Sequence, residues 1–189
     1  RGLGDVYKRQ ALECVGQRAV VTKNAWNCFR VPEIAGLLPN ACFVWIQRDI
    51  VQAAHSDLRS RITHGGVHSW NSASPSNYEA IRARPYWEQV VEQQYEYNRT
   101  LGEDLERHAR GRFVHVWYED LCLDPGGAMR DIEAGLAAAG LPLTSRHRPL
   151  PDLGLARASD ENDPDLHRII AHVEREHARL DAYRWSPTS

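Results

Sequence analysis

The sequence has little of several features that would place it in a specialised class of protein. It has four cysteines, Cys14, Cys28, Cys42 and Cys122, and no two of them form a CxxC pair. Three of the four lie in or beside apolar runs, which favours reduced thiols over a disulfide framework. No stretch approaches the roughly 18 apolar residues of a membrane span, and no basic start leads into an apolar signal region. These absences predict a cytoplasmic protein without a membrane span.

An excess of positive charge is also absent. The chain carries 23 Lys and Arg against 25 Asp and Glu, a formal net charge of -2. Because nucleic-acid binders are usually strongly basic, we predict no nucleic-acid partner and expect any anion site to be a local concentration of charge. The 189 residues, 42% hydrophobic and 25% charged, are typical of one globular domain and leave the oligomeric state open.

The first ten residues are predicted not to be native. Asp5 to Gln10 can be back-translated as GAT GTG TAT AAG AGA CAG, which matches a transposon end sequence widely used to build sequencing libraries. The alternative is a native terminus that has this sequence by chance. We therefore predict that residues 1–10 derive from an adapter and that residues 11–189 form a single partial domain.

Alternating strand-like and helix-like segments predict an α/β fold in the first third of the chain. Residues 18–22 are a β-branched run typical of a strand, and residues 31–38 suggest a short helix. Residues 41–46 are nearly all apolar, as in a strand covered on both faces of a parallel sheet. Asp49 then has the features of a helix N-cap, with Gln52 at the capping-box position. Every fourth residue of that helix is apolar: Ile50, Ala54, Leu58 and Ile62.

The same alternation continues through the rest of the chain. Residues 63–75, centred on Trp70, form a loop whose length suggests function. Helical spacing resumes at Ser76 and restarts at Pro85, and residues 112–118 are typical of a strand. Another helix is bounded by Asp124-Pro125 and Gly140. A last helix from Asp163-Pro164 is expected to bury Leu166, Ile169, Ile170, Val173 and Leu180, and to expose His167, His172 and His177.

The junction between the apolar strand and the capped helix is a candidate anion site. In open α/β sheets ligands collect outside the carboxyl ends of the strands, where helix N-termini favour anions. Arg48 adds a planar fork of donors suited to phosphate oxygens. Ser56 lies eight residues further on, about 12 Å along a regular helix. On this local pattern alone, a surface arginine and an incidental serine is the favoured interpretation.

Two longer segments favour the anion site over the interpretation of Arg48 and Ser56 as incidental surface residues. Residues Lys23 to Ser56, KNAWNCFRVPEIAGLLPNACFVWIQRDIVQAAHS, resemble the sulfotransferases that use 3′-phosphoadenosine 5′-phosphosulfate (PAPS), with their lysine-bearing strand end and R-D-x(6)-S signature. YEDLCLDP, residues 118–125, resembles the family's downstream Y-E-D-L…P segment, and Trp87 lies in a helix like that of bacterial members. The likeness covers residues 18–140. It implies a P-loop-type parallel sheet flanked by helices.

The resemblance also implies roles for individual residues. Arg48 and Ser56 would bind the 3′-phosphate of PAPS, and Tyr118 would lie against the adenine. Lys23 would be catalytic, neutralising charge on the bridging oxygen as the sulfuryl group leaves. The alternative for Lys23 is a solvated strand end. The reaction would transfer a sulfuryl group to a hydroxyl or amine of a small-molecule or glycan acceptor, and it requires no metal.

The sequence departs from the family pattern in three places. Nothing before Lys23 resembles the first strand, 5′-phosphosulfate loop and helix of the family. Ala25 stands where some members have a histidine base, so the general base is unassigned, and the glycine-rich basic stretch near the C-terminus is missing. We therefore predict an enzyme whose fragment, as given, is inactive alone. Residues 63–75, with His64, His68 and Trp70, are the predicted acceptor contacts, and a metal site at the two histidines is disfavoured.

Two other functions remain open at this point. A P-loop nucleotide kinase or other phosphotransferase would use the same sheet and strand-end arginines, although the Arg48 to Ser56 spacing argues against it. A non-catalytic module could retain the 3′-phosphate site without the reaction. Preference for adenosine 3′,5′-bisphosphate over ATP distinguishes the first alternative, and binding without turnover identifies the second.

Overall fold

The computed structural model describes residues 20–143, 154–155 and 162–181, and the predicted adapter residues 1–10 lie outside them. A 3₁₀ helix, Ala25–Phe29, precedes two strands and eight α-helices in the described chain. The first of these elements are α1 (Val31–Leu37), β1 (Phe43–Gln47), α2 (Ile50–Gly65), α3 (Tyr78–Arg82) and α4 (Tyr86–His108). They are followed by β2 (Phe113–Trp117), α5 (Tyr118–Leu123), α6 (Pro125–Ala138), α7 (Pro164–Arg175) and α8 (His177–Asp181).

The sheet of the described chain consists of β1 and β2, which pair in parallel. The register runs from Phe43 opposite Phe113 to Gln47 opposite Trp117. A parallel pair needs a long crossover, and here α2, α3 and α4 provide it. The predicted parallel α/β arrangement is therefore confirmed for these two strands and their flanking helices.

The strand predicted at residues 18–22 is wrong where the structure can be compared. Residues 20–22 have no regular secondary structure, and residues 18 and 19 lie outside the described ranges. β-branched residues favour strands only when a neighbouring strand supplies hydrogen bonds and side-chain contacts. In the described chain β1 pairs with β2 alone, so residues 20–22 receive no such support.

The two faces of the sheet are covered differently. On one face, Trp45 packs against Leu101 and Leu105 of α4, and its Nε1 donates a hydrogen bond to Asn98 Oδ1 at 3.3 Å. On the other face, α6 covers β2, because Val114 and Val116 contact its apolar side. The α6 residues in this cluster are Ala128, Met129, Ile132 and Leu136.

β1 is not covered on both faces, contrary to the prediction from its apolar sequence. Val44 is 41% exposed and Ile46 is 51% exposed, whereas the alternate residues Trp45 and Gln47 are buried. Their alternation follows the two-residue period of a strand. Within the described chain, α6 lies over β2 and leaves this face of β1 open to solvent.

Two glycines of α6 provide a matched pair for testing its contact with β2. A Cβ on Gly135 would lie 2.5 Å from Cγ2 of Val114, whereas one on Gly126 would meet only the flexible tip of Arg130 at 3.4 Å and Asp124 at 3.6 Å. Alanine gains up to about 1 kcal/mol of helix propensity over glycine, and overpacking costs about 1–3 kcal/mol.

We therefore expect Gly135→Ala to lower the free energy of unfolding by about 1 kcal/mol and Gly126→Ala to leave it unchanged or raise it slightly. Urea unfolding of both variants measures the difference. Equal stability of the two variants would contradict the close contact between α6 and β2.

A second core lies between α2, α4 and α7. Ala54 and Leu58 of α2 pack with Val90 and Val91 of α4 and Ile169 of α7. The predicted N-caps of α2 and α6 are confirmed, because the side chains of Asp49 and Asp124 each accept a hydrogen bond from a first-turn backbone N–H. Asp163 caps the start of α7 in the same way.

Two predictions about this core are wrong. Ile62 is 49% exposed, and its neighbour Arg61 is fully buried instead. The reason is that α4 presents Gln89 and Gln93 at this level, so the facing surface is polar. His172, expected in solvent, is 1% exposed, because its Nε2 hydrogen-bonds with the buried Glu92 at 3.1 Å.

Candidate functional site

The carboxyl ends of β1 and β2 bring Arg48 and Tyr118 together. Because Gln47 is opposite Trp117 in the register, these two residues are the first to follow the paired strands. The Arg48 guanidinium carbon lies 4.7 Å from the centre of the Tyr118 ring. This distance is within the range of a cation–π interaction, which orients the guanidinium against the ring. Two residues separated by 70 positions in the sequence thus form one small surface.

The N-terminus of α2 is part of the same surface. The Asp49 carboxylate accepts a hydrogen bond from the Gln52 backbone N–H at 3.0 Å. The Asp49 backbone N–H in turn donates to Oε1 of Glu119, at 3.2 Å, across the gap between the two strand ends. Sequence reasoning suggested only that Glu119 and Asp120, as acids beside a strand end, orient neighbouring groups, and it named no partner for Glu119. The signal that could have found it is an acid two positions beyond a strand that pairs with the strand leading into a capped helix.

Ser56 lies further along α2 and is exposed. Eight residues of regular helix separate it from Arg48 by about 12 Å. Its neighbour His55 hydrogen-bonds through Nε2 to the Asp163 carboxylate at 2.8 Å, which connects this part of α2 to the start of α7. That hydrogen bond lowers the pKa of Asp163, as do the backbone N–H groups of Leu166 and Asp165, although burial opposes them.

Lys23 is exposed and lies just before the 3₁₀ helix, in a segment without regular secondary structure. Asn24 caps that helix by accepting a hydrogen bond from the Trp26 backbone N–H at 3.0 Å. Ala25 is its first residue and has no titratable side chain, so the structure adds no base at this position. Phe29, at its end, contacts the Tyr97 ring of α4 with centroids 5.3 Å apart.

The loop between α2 and α3 is shorter than predicted, because α2 continues to Gly65. Trp70 is engaged within the protein: its ring lies 4.8 Å from the Arg61 guanidinium, and its Nε1 donates to the Ala73 carbonyl at 3.2 Å. His64 hydrogen-bonds to the Ser60 carbonyl at 2.7 Å. His68 is exposed, with its ring 6.1 Å from that of Tyr86. A role of this loop in acceptor binding stays a prediction.

Ser72 in the same loop has a backbone φ of 71°. Non-glycine residues adopt positive φ only where surrounding contacts hold them there. The contacts here are the hydrogen bonds from Gln93 to the Asn71 carbonyl and from Tyr97 to the Ala73 carbonyl. The loop therefore has a defined conformation on α4, and α4 also holds the 3₁₀ helix through Tyr97.

A depression of about 350 Å³ lies between β2, α5 and α6. It does not include Lys23, Arg48, Ser56 or Tyr118. Its polar lining is mostly acidic, which does not suit a phosphate or sulfate group. The lining residues are His115, Val116, Trp117, Asp120, Leu123, Asp124, Gly127, Ala128 and Asp131.

Two properties of the described chain concern metals and membranes. In residues 20–143, 154–155 and 162–181, no group of three or more His, Cys, Asp or Glu side chains is arranged to hold a metal ion. None of the helices in these ranges has both the length and the apolar character needed to cross a bilayer. Cys28, Cys42 and Cys122 are free thiols, and burial raises the pKa of Cys28 to about 11, against a weaker opposing backbone hydrogen bond.

Comparison with known proteins identifies the family. No curated protein and no solved structure matches the chain. A family model described as the sulfotransferase family matches residues 4–145, about three quarters of the sequence, a range that includes the positions of the four predicted site residues. This chain therefore belongs to the sulfotransferase family.

Proposed function

We propose that the protein transfers a sulfuryl group from PAPS to a hydroxyl or amine of a small-molecule or glycan acceptor. The observation that carries the proposal is the Arg48–Tyr118 pair, which lies at the carboxyl ends of two parallel strands and at the N-terminus of α2. Membership of the sulfotransferase family supports sulfuryl transfer in general. The PAPS donor and the residue roles below are the proposed part.

The arrangement suits the 3′-phosphate of PAPS. This phosphate carries nearly two negative charges, and a guanidinium offers it two parallel charge-assisted hydrogen bonds. The N-terminus of α2 adds partial positive charge next to Arg48. In the proposal Ser56 donates its hydroxyl from further along α2, and the adenine packs on the part of the Tyr118 ring that Arg48 does not cover.

PAPS supplies the sulfuryl group when it is bound. The acceptor oxygen or nitrogen forms a bond to sulfur, and the bond between sulfur and the 5′-phosphate oxygen breaks. Adenosine 3′,5′-bisphosphate leaves, and the acceptor loses its proton. In the proposal Lys23 stabilises the negative charge that develops on the leaving oxygen. Its exposed position before the 3₁₀ helix leaves its ammonium group accessible to a ligand.

Arg48→Ala is expected to weaken binding of adenosine 3′,5′-bisphosphate by about tenfold to a hundredfold, because it removes charge-assisted hydrogen bonds to the 3′-phosphate. Binding of 5′-AMP, which lacks that phosphate, is expected to change much less. Calorimetric titration of the chain with both nucleotides measures the two effects. Arg59→Ala is the matched control, since Arg59 is an exposed arginine on the same helix.

Equal affinity for the two nucleotides, or an unchanged affinity in Arg48→Ala, would contradict the 3′-phosphate assignment. Stronger binding of ATP than of adenosine 3′,5′-bisphosphate would favour a kinase or another phosphotransferase. Binding with the expected selectivity, but no sulfuryl transfer by a version with a complete 5′-phosphosulfate loop, would favour a non-catalytic nucleotide-binding module.

A further inference from the structure

Hydrogen bonding between β1 and β2 ends just before the candidate site. The last paired residues are Gln47 and Trp117. Arg48 and Tyr118 lie one position beyond the ladder, so the regular backbone hydrogen bonds of the sheet do not hold them together. Their side chains contact each other nevertheless. The ladder therefore leaves room for a further interaction to set the spacing of the two chains at this point.

The hydrogen bond between Asp49 and Glu119 is placed to do this. It joins the next pair of positions, one residue beyond Arg48 and Tyr118 on each chain, at 3.2 Å. Glu119 is in the first turn of α5, and Asp49 is the N-cap of α2. One carboxylate thus connects the starts of the two helices that follow the paired strands, and it extends the pairing past the end of the sheet.

The charge of Glu119 makes its position informative. A carboxylate close to an anion site repels a phosphate, so its negative charge is unfavourable for binding. Its oxygen is favourable only as a hydrogen-bond acceptor for the Asp49 N–H. The two effects can be separated, because glutamine keeps an acceptor oxygen of similar reach and removes the charge.

We propose that Glu119 is a positioning residue for the nucleotide site, which holds Arg48 and the N-terminus of α2 in register with Tyr118. This inference rests on the proposed function and adds a residue to the same site. Glu119 does not contact the nucleotide in this proposal. It acts through the backbone of Asp49, and its contribution is geometric.

The test compares Glu119→Ala with Glu119→Gln by calorimetric titration with adenosine 3′,5′-bisphosphate and with 5′-AMP. We expect Glu119→Ala to reduce the preference for the 3′-phosphate about tenfold, because the acceptor of the Asp49 N–H is lost. Glu119→Gln is expected to keep the wild-type preference or to increase it. Asp120→Ala is the matched control, because Asp120 is an exposed acid in the same turn of α5. Thermal melting of each variant separates a loss of folding from a loss of selectivity.

Three outcomes would overturn the inference. An unchanged preference in Glu119→Ala would show that the hydrogen bond does not position the site. An equal loss in Glu119→Gln and Glu119→Ala would show that the charge, and not the acceptor oxygen, is what matters. A wild-type chain with no preference for the 3′-phosphate would overturn the proposed function, and this inference with it.

Discussion

Replacing Arg61 with methionine is expected to lower the free energy of unfolding by about 3–5 kcal/mol. The Arg61 side chain is fully buried and donates hydrogen bonds to the Asp57 carboxylate at 3.0 Å, to Gln89 at 3.1 Å and to Gln93. Its guanidinium also lies 4.8 Å from the Trp70 ring. Methionine fills a similar volume but leaves the carboxylate and both amides without their donor.

The ionisation of Asp57 adds to this cost. Burial raises the pKa of Asp57 above its ordinary value, even though the charge of Arg61 and hydrogen bonds from Asn71 and Arg61 lower it. The carboxylate is therefore poorly solvated even when it is paired. Without Arg61 it becomes an unpaired buried charge, which is the costly case for a broken ion pair.

Urea unfolding at neutral pH measures the loss. Arg59→Met, an exposed site on the same helix, is the control and is expected to change stability by less than about 0.5 kcal/mol. Adding Asp57→Asn to Arg61→Met is expected to recover part of the loss, since it removes the unpaired charge. A loss below about 1 kcal/mol in Arg61→Met would contradict the buried network.

Replacing Glu92 with alanine is expected to cost about 2–3 kcal/mol of unfolding free energy. Glu92 is buried in α4 and accepts hydrogen bonds from His172 at 3.1 Å, Arg179 at 2.6 Å and Arg84 at 3.3 Å. It therefore holds α7 and α8 on α4. The expected loss is smaller than at Arg61 because Arg84 and Arg179 both reach solvent and can be hydrated when Glu92 is removed. Glu103→Ala, exposed on the same helix, is the control.

The contribution of Glu92 depends on pH in a defined direction. Burial raises its pKa, but hydrogen bonds from His172 and Arg179 and the charges of Arg179 and Arg84 outweigh burial, and the net pKa lies below its ordinary value of 4.5. A lowered folded-state pKa stabilises the fold fully above the unfolded-state value, and this stabilisation is lost as the pH falls through the folded-state value.

The part of the stability difference between wild type and Glu92→Gln that comes from the carboxylate is therefore expected to be present at about pH 5 and to shrink as the pH falls below about 4.5. Urea unfolding across this range measures it. A difference that grows on acidification would show that Glu92 is not stabilised as a carboxylate.

Local sequence patterns predicted where helices begin better than they predicted which side chains are buried. Asp49 and Asp124 were recognised as caps because a cap needs only its own first turn. The exposure of Ile62 and the burial of Arg61 were not predictable in this way. They depend on α4 presenting two glutamines at that level, about 30 residues away in sequence. The burial of His172 has the same kind of cause, since its partner Glu92 is 80 positions away.

In the candidate site, too, some features follow from local sequence and others depend on contacts between residues far apart in the sequence. A strand followed by a capped helix made Arg48 only a candidate, and the resemblance to family motifs was needed to favour both Arg48 and Tyr118. Their contact follows from the register of β1 and β2, which no local pattern specifies. An orienting role for Glu119 could be suggested from its place beside a strand end, but its partner, the Asp49 N–H, could not be identified before that register was known. The open face at Val44 and Ile46 was also missed, because an apolar strand sequence does not reveal whether a second layer is present.

The pairing of β1 with β2 has a consequence for how the protein folds. The surface at Arg48 and Tyr118 does not exist until a segment of about 70 residues has closed on itself and its two ends have aligned. Contacts of such long sequence separation form slowly, after local helices such as α2 and α4 can already fluctuate into place. A ligand that requires both strand ends cannot assist the early steps of folding. It can only slow the separation of the strands once they have met, so its binding energy appears as resistance to unfolding.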